Sequence, residues 1–525
     1  MKRNSNKAFL IVAALASGLV LYSCAKGLNE ETFSVFDANT LTKPENGEQA
    51  VIGTYAGLKD NGGYGYYAGF LYWLYEYPAD VVTTTVTARQ GVQLDQLTYD
   101  ATNATINDVW TSIFRLISRA NESEQIISNI DYAGNGSTEA IKKQHLAEVR
   151  FLRALAYYDA TDLWGSVPLI IKPSSQFTEA DENPTLTDQA KVEDAMIADL
   201  TYAEQNLPES YDVTEVARAT SGAAKALLGR LYMRRLEFQK AADKLAEVMN
   251  KGYDLRTQGE GGIVSLFSRD NRSDNEFIFV LKSSNESSAY SINSNSFGQN
   301  STPWDYNRGW GNFPLNLSFY SVFDPTDARR DLLTGVFTTI YGQVMAVPQQ
   351  YGGVGQEADR DTILATFVYN LKYPHVGNYN YSGFNNVTIL RYADVLMMRA
   401  EALNELNGPN QESLDLINQV RNRSNLPSYT LSDFATKEAL RDAIFDERNK
   451  EFFMEGRRRD DLIRWGKEAS NGANPLLKFK EKVVPTLKNP DTYSDAVDYQ
   501  FYPYPQNEIQ SNTSLDPSVN AGRVK

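Results

Sequence analysis

The sequence predicts a mainly α-helical protein whose paired helices suggest tetratricopeptide-like hairpins, interrupted by a large, irregular, loop-rich region. Three observations carry that expectation. Apolar residues recur at helical spacing over long stretches of both the N-terminal and the C-terminal parts of the chain. That period is lost between residues 252 and 375. The periodic stretches come as pairs spanning about 30 to 45 residues, the size of a helix–turn–helix repeat unit.

The elements follow in order. Residues 25–45 are polar and irregular and read as an extended tail. A helix is expected from Glu48 to Lys59, and from Asn61 the chain becomes Gly- and Tyr-rich (GGYGYYAGFLYWLYEYP), a stretch read as lying outside the helical framework. A long helix is expected from Thr105 to Asn129, with Trp110, Ile113, Phe114, Ile117 and Ile126 at helical spacing. The next runs from Thr138 to Leu163, where Gly165 and Pro168 end it. A further pair covers 188–206 and 218–250, the second split near Leu236-Glu237, with an Ala-rich face (SGAAKALLGRLYMRR) that lets helices approach closely. Residues 252–375 hold short β-like runs such as Glu276–Leu281 among loops rich in Asn, Ser and Gly. Helices resume at 391–407, 411–424, 436–455 and 457–469, and the tail after 485 is Pro- and Asn-rich.

Composition narrows the function. The formal net charge is −15, which argues against nucleic acid as a partner, because phosphates demand basic surface. There are 31 tyrosines, 24 phenylalanines and 6 tryptophans, an aromatic stock suited to cores and to stacking on flat ligands. The only two histidines, His145 and His375, lie far apart, which rules out a histidine-rich metal site. No nucleophile-elbow, zinc-protease, phosphate-loop or dinucleotide motif occurs, and no cofactor is expected. Carboxylates are too many to single out a glycosidase pair. Asp324, Asp327 and Asp331 lack the spacing of a calcium loop and read as structural.

The N-terminus reads as an export signal: Lys2, Arg3 and Lys7 precede an apolar run from Ala8 to Leu21, and Leu21-Tyr22-Ser23-Cys24 closes it. A run of this length falls short of the roughly twenty residues a spanning helix needs. The placement of Cys24 at the cut resembles a bacterial lipobox, in which the thiol is lipidated. Cys24 is also the only cysteine, so no intramolecular disulfide can form. Residues 1–23 are therefore expected to be removed, leaving 24–525 as a single domain with an N-terminal helical part at 24–250, the irregular insertion at 251–385, and a C-terminal helical part and tail at 386–525.

Several blocks carry a family resemblance. AEVRFLRALAYYDATDLWGSVPLI at 147–170, ILRYADVLMMRAEALNELN at 389–407, INQVRNRSNL at 417–426, DERNKEFFMEGRRRDDLIRWG at 446–466 and YPYPQNEIQSNTSL at 502–515 resemble the SusD/RagB-like nutrient-binding lipoproteins of the Bacteroidetes outer membrane. In many relatives aromatics follow the Glu-Gly-x-Arg step, whereas here Arg459 and Asp460 stand there. By themselves these blocks read as fold determinants. Glu447, Arg448, Glu451 and Glu455 fall at spacings that permit pairing with helical neighbours, Phe452, Phe453, Leu462 and Trp465 anchor the packing, and Gly456 breaks the helix. A catalytic reading of the charged cluster, in which arginines beside carboxylates bind an anion, is the lesser alternative.

The resemblance implies a SusD-like α-α superhelix of four tetratricopeptide-like units packed against an irregular ligand-binding region. It implies a lipid anchor at the outer face of the outer membrane, and a SusC-like TonB-dependent transporter as partner. The cargo would be oligosaccharide or, in some relatives, peptide, and no catalysis is implied.

Sugar capture needs aromatic faces and a few side chains that pair with hydroxyls. Two segments offer both. The first, Tyr64 to Arg89, supplies Tyr66, Tyr67, Tyr72, Trp73, Tyr75, Asp80 and Arg89; the second, Tyr290 to Phe313, supplies Trp304, Tyr306, Asn307, Arg308 and Trp310. The candidate contacts are Tyr72, Trp73, Tyr75, Arg89, Trp304, Tyr306, Asn307, Arg308 and Trp310, with part of the aromatic set expected to fill core instead. Two other functions compete: a surface glycoside hydrolase, which would turn over a glycan, and a peptide-binding scaffold, which would use a helical groove.

Overall fold

In the computed structural model the described residues are 41–59, 65–84, 89–212, 217–282, 311–338, 344–346, 367–373, 386–468, 497 and 499–523. Residues from Lys43 onward form one compact unit. Its N-terminal part contains α1 (Pro44–Ala56), α2 (Phe70–Glu76), α3 (Arg89–Asp95), α4 (Ala104–Asn129), α5 (Glu139–Trp164) and α6 (Gln189–Asn206), followed by α7 (Ser221–Arg234) and α8 (Phe238–Met249). The C-terminal part adds α9 (Tyr392–Asn407), α10 (Gln411–Arg423), α11 (Lys437–Phe452) and α12 (Arg458–Glu468).

Local chemistry explains where these helices start and stop. Asn103 caps α4 by accepting from the amides of Thr105 and Ile106, and Thr138 caps α5 by accepting from Ile141. Gly165 ends α5 at φ 72°, with the Phe501 ring packed where a side chain would stand. Leu236, at φ 58°, makes the turn between α7 and α8 that the sequence places at Leu236-Glu237. The Ala-rich face of α7 does bring α8 close: a Cβ on Gly229 would lie 2.5 Å from the Leu245 side chain.

The helices pack in chain order, α4 on α5, α5 on α6, α6 on α7, α7 on α8, α8 on α9 and α9 on α10, which is the stacking of a hairpin superhelix. Short strands supply the irregular region. Strand β1 (Phe277–Leu281) pairs antiparallel with β7 (Val387–Arg391), and β2 (Pro314–Asn316), β6 (Phe367–Asn370) and β3 (Leu333–Thr334) form a second sheet. A two-stranded ladder joins β4 (Val336–Thr338) and β5 (Val344–Ala346).

Two expectations need correction. The Tyr-rich stretch does not lie outside the helical framework: Tyr66–Ala68 is a 3-10 turn, Phe70–Glu76 is helix α2, and every α2 residue after Phe70 is buried. A helix that is apolar all round gives no period to read, and its place is the interior. The charged cluster of α11 also does not pair along its own helix. Glu447 meets Arg329 and Arg421, Arg448 meets Asp394 and Asp461, Glu451 meets Arg329, Arg391 and Arg423, and Glu455 meets Lys372 and Arg391. Glu276, at the start of β1, joins this network through Arg391 at 2.7 Å and Arg423 at 2.7 Å, so the charges tie the irregular region to the C-terminal helices.

The stretch from Tyr499 to Pro505 is largely core. The Tyr502 amide donates to the Leu163 carbonyl at 2.8 Å, the Trp164 indole donates to the Pro503 carbonyl at 3.0 Å, and both Tyr502 and Tyr504 are buried.

Candidate functional site

Helix α2 presents the first candidate segment, and its side chains are held from beneath by acids. The Asp159 carboxylate, on α5, accepts from the hydroxyls of Tyr66 at 2.6 Å, Tyr67 at 2.6 Å and Tyr75 at 2.9 Å. Glu76 accepts from the Gly456 amide at 2.6 Å, and Asp80 takes the Arg458 guanidinium through two bonds of 2.7 Å. Gly456, at φ 68°, is the turn between α11 and α12, and the Tyr72 and Tyr75 rings pack on it. Burial pushes the Asp159 carboxyl up, while the three hydroxyl bonds oppose the shift, and burial pushes Glu76 up to about 7. Arg459 and Asp460 meet a fourth acid. Arg459 donates to Asp162 at 3.0 Å, and Asp460 is pushed well up by burial and by the adjacent Asp162.

The sequence candidates fare differently. Tyr72 and Tyr75 are buried, with hydroxyls bonded to the Thr388 carbonyl at 3.2 Å and to Asp159. Trp73 is 8 % exposed and packs edge-on against Phe70, Tyr77 and Phe313. Its indole Nε1 has no hydrogen-bond partner among the described residues, an unspent donor in the candidate segment. Arg89 is the first residue of α3. Cys24, Trp304, Tyr306, Asn307, Arg308 and Trp310 lie outside the described residues. The structure thus brings Tyr72, Trp73 and Tyr75 together on one short helix.

Asp159 and Glu76 are the residues that sequence reading missed, and Gly456, legible as a helix breaker, also gives its amide to Glu76. Asp159 stands in an otherwise apolar run (LRALAYYDATDLW), and an acid in such a run is the signal that finds it.

Two clefts lie elsewhere. One, about 220 Å³, sits between Glu209–Tyr211 and β1; the other, about 720 Å³, lies between Asp254–Glu260 and α10. Charged groups at their edges are spent in ion pairs, Lys251 with Glu209 and Arg256 with Asp274. Among the described residues no group of His, Cys, Asp and Glu is arranged to hold a metal ion, and no helix is long and apolar enough to cross a membrane.

Comparison with known proteins gives the family. The model of the SusD family matches residues 275–522, and a model described as starch-binding, associating with the outer membrane, matches residues 65–233. SusD-like protein P25 of Formosa agariphila is 27 % identical over 485 residues, 85 % of this chain and 87 % of that protein. The starch-binding protein SusD of Bacteroides thetaiotaomicron is 24 % identical over 444 residues, 74 % of each chain. The solved structure of surface glycan-binding protein A from Bacteroides fluxus superposes with a TM-score of 0.70 at 19 % identity, covering 90 % of this chain and 98 % of that one. With the two models matching residues 65–233 and 275–522, and with the helical architecture of the solved structures, this chain is SusD/RagB-like along most of its length.

Proposed function

We propose that this protein is a lipoprotein of the outer-membrane surface that binds nutrient oligosaccharides and delivers them to a SusC-like TonB-dependent transporter. It does no chemistry of its own. The observation that carries this reading is the family match along both helical parts, together with relatives named for binding starch and surface glycans. The aromatic helix supports it: Trp73, whose buried indole N–H has no hydrogen-bond partner among the described residues, shares that helix with Tyr75, which is locked to Asp159. In this reading Cys24 carries the lipid, and Trp73, Arg89, Trp304, Tyr306, Asn307, Arg308 and Trp310 meet the sugar. Tyr72 and Tyr75 back them as the inner layer.

The test is affinity electrophoresis in gels cast with starch or laminarin, followed by calorimetry with the matching oligosaccharide. Changing both Trp304 and Trp310 to Ala abolishes retardation and leaves the melting temperature nearly unchanged. Retardation that survives the double change removes those two residues from the site. A wild-type protein that binds peptides and no glycan overturns the cargo. Cys24→Ala releases the protein from the membrane without changing affinity in solution.

A further inference from the structure

Glu76 is 1 % exposed and ends α2. Its Oε1 accepts from the Gly456 amide, and its Oε2 has no hydrogen-bond partner among the described residues. Four titratable groups face it. Lys372 follows β6, Glu455 and Arg457 flank Gly456, and Tyr72 stands one turn back on α2. None of them satisfies the free oxygen. Lys372 spends its donors on the carbonyls of Glu451 and Phe453 and on the Glu455 carboxylate, and Arg457 donates to the Ile389 carbonyl. An ionised Glu76 therefore buries a charged oxygen that no hydrogen bond satisfies, and burial outweighs the help that the Gly456 amide, Lys372 and Arg457 give the charge, whereas a protonated Glu76 buries no charge.

We propose that Glu76 is a proton-operated latch: protonated, it stays buried where the aromatic helix α2 meets the turn at Gly456, and losing that proton it is drawn toward water, which loosens the packing of α2 on the turn. Its bearing on ligand capture rests on the function proposed above, because α2 carries Trp73; the latch itself does not.

The charged group's direction fixes the pH profile. With a folded-state value of about 7 against an ordinary 4.5, the latch contributes fully below pH 4.5, and its contribution is lost as pH rises to 7. Lys372, pushed down to about 8 by burial, titrates above that window.

The experiment compares wild type with Glu76→Gln, which mimics the protonated side chain, by thermal unfolding from pH 4.5 to 8. The variant's advantage in melting temperature grows from near zero at pH 4.5 to about 3 °C above pH 7. Hydrogen exchange at residues 70–76, corrected for intrinsic rate, is faster at pH 7.5 than at pH 5 in wild type and equal in the variant. Glu76→Met, which lacks any titrating group, also flattens the melting profile even where it lowers it throughout. A melting difference from wild type that stays constant across the range in both variants overturns the latch. Wild type that fails to bind any glycan in the electrophoresis above overturns the proposed function, while the melting and exchange profiles still decide the latch.

Discussion

Two buried, acid-rich regions hold this molecule together, and they behave oppositely. In the C-terminal network every carboxylate has a cationic partner: Glu451 with Arg391 at 2.7 Å, Glu455 with Arg391 at 2.7 Å, and Asp394 with Arg230 at 2.7 Å and Arg448 at 2.8 Å. Those guanidinium groups overcome burial and hold Glu451, Glu455 and Asp394 below the usual carboxylate range. Beneath α2 the partners are tyrosine hydroxyls and a backbone amide, and burial wins, so Asp159 and Glu76 are pushed up. Equal burial thus leads to opposite charge preferences, decided by whether the partner brings a full positive charge.

The largest expected effect comes from breaking the network. Glu451→Ala leaves the Arg391 and Arg423 guanidinium groups short of their shared counter-charge. It costs about 3–5 kcal/mol, measured by urea unfolding. Asp159→Ala strips the acceptor from three buried tyrosine hydroxyls and costs about 2–4 kcal/mol by the same measurement. Equal losses for the two would erase the distinction between charged and neutral partners.

Acid sharpens the contrast. The network's depressed carboxylates contribute stability above about pH 4.5 that is lost as pH falls through their lower folded values, so Glu451→Gln flattens the acid limb of the stability profile. Asp460 lies on the other side of the comparison. Its raised folded value means stability present below pH 3.8 and lost as pH rises, so Asp460→Asn is stabilised relative to wild type at neutral pH and not in acid, as urea unfolding reads it. The smallest effect tests neither region: Asn410, whose side chain accepts from the Ser413 amide to cap α10, costs about 1 kcal/mol as Asn410→Ala at every pH near neutrality.

Much of the scaffold was legible because amphipathic helices announce both their face and their ends. The boundaries of α4, α5 and α10 are met within a residue or so, and the break at Leu236 carries the left-handed backbone that a sharp turn needs. Helix α2 was illegible for the opposite reason: FLYWLYE has no polar face, so composition suggested a ligand platform where most of the rings are core. The network was illegible because its partners are distant, Glu276 and Arg423 being 147 residues apart, while spacing rules see only neighbours on one helix. Of the candidate site, Tyr72, Trp73 and Tyr75 share one helix, but which rings face inward depends on Asp159, which sits on another element entirely.

The tail described with the fold also bears on the order of assembly. The Tyr502 hydroxyl donates to the Leu74 carbonyl 428 positions earlier, and the Trp164 indole is satisfied only by the Pro503 carbonyl. The first hairpins therefore lack their final hydrogen-bond acceptors and ring contacts until the last few dozen residues have been synthesised. Closing such long loops is slow, and the folding rate of this chain should be set by arrival of its tail rather than by formation of its helices.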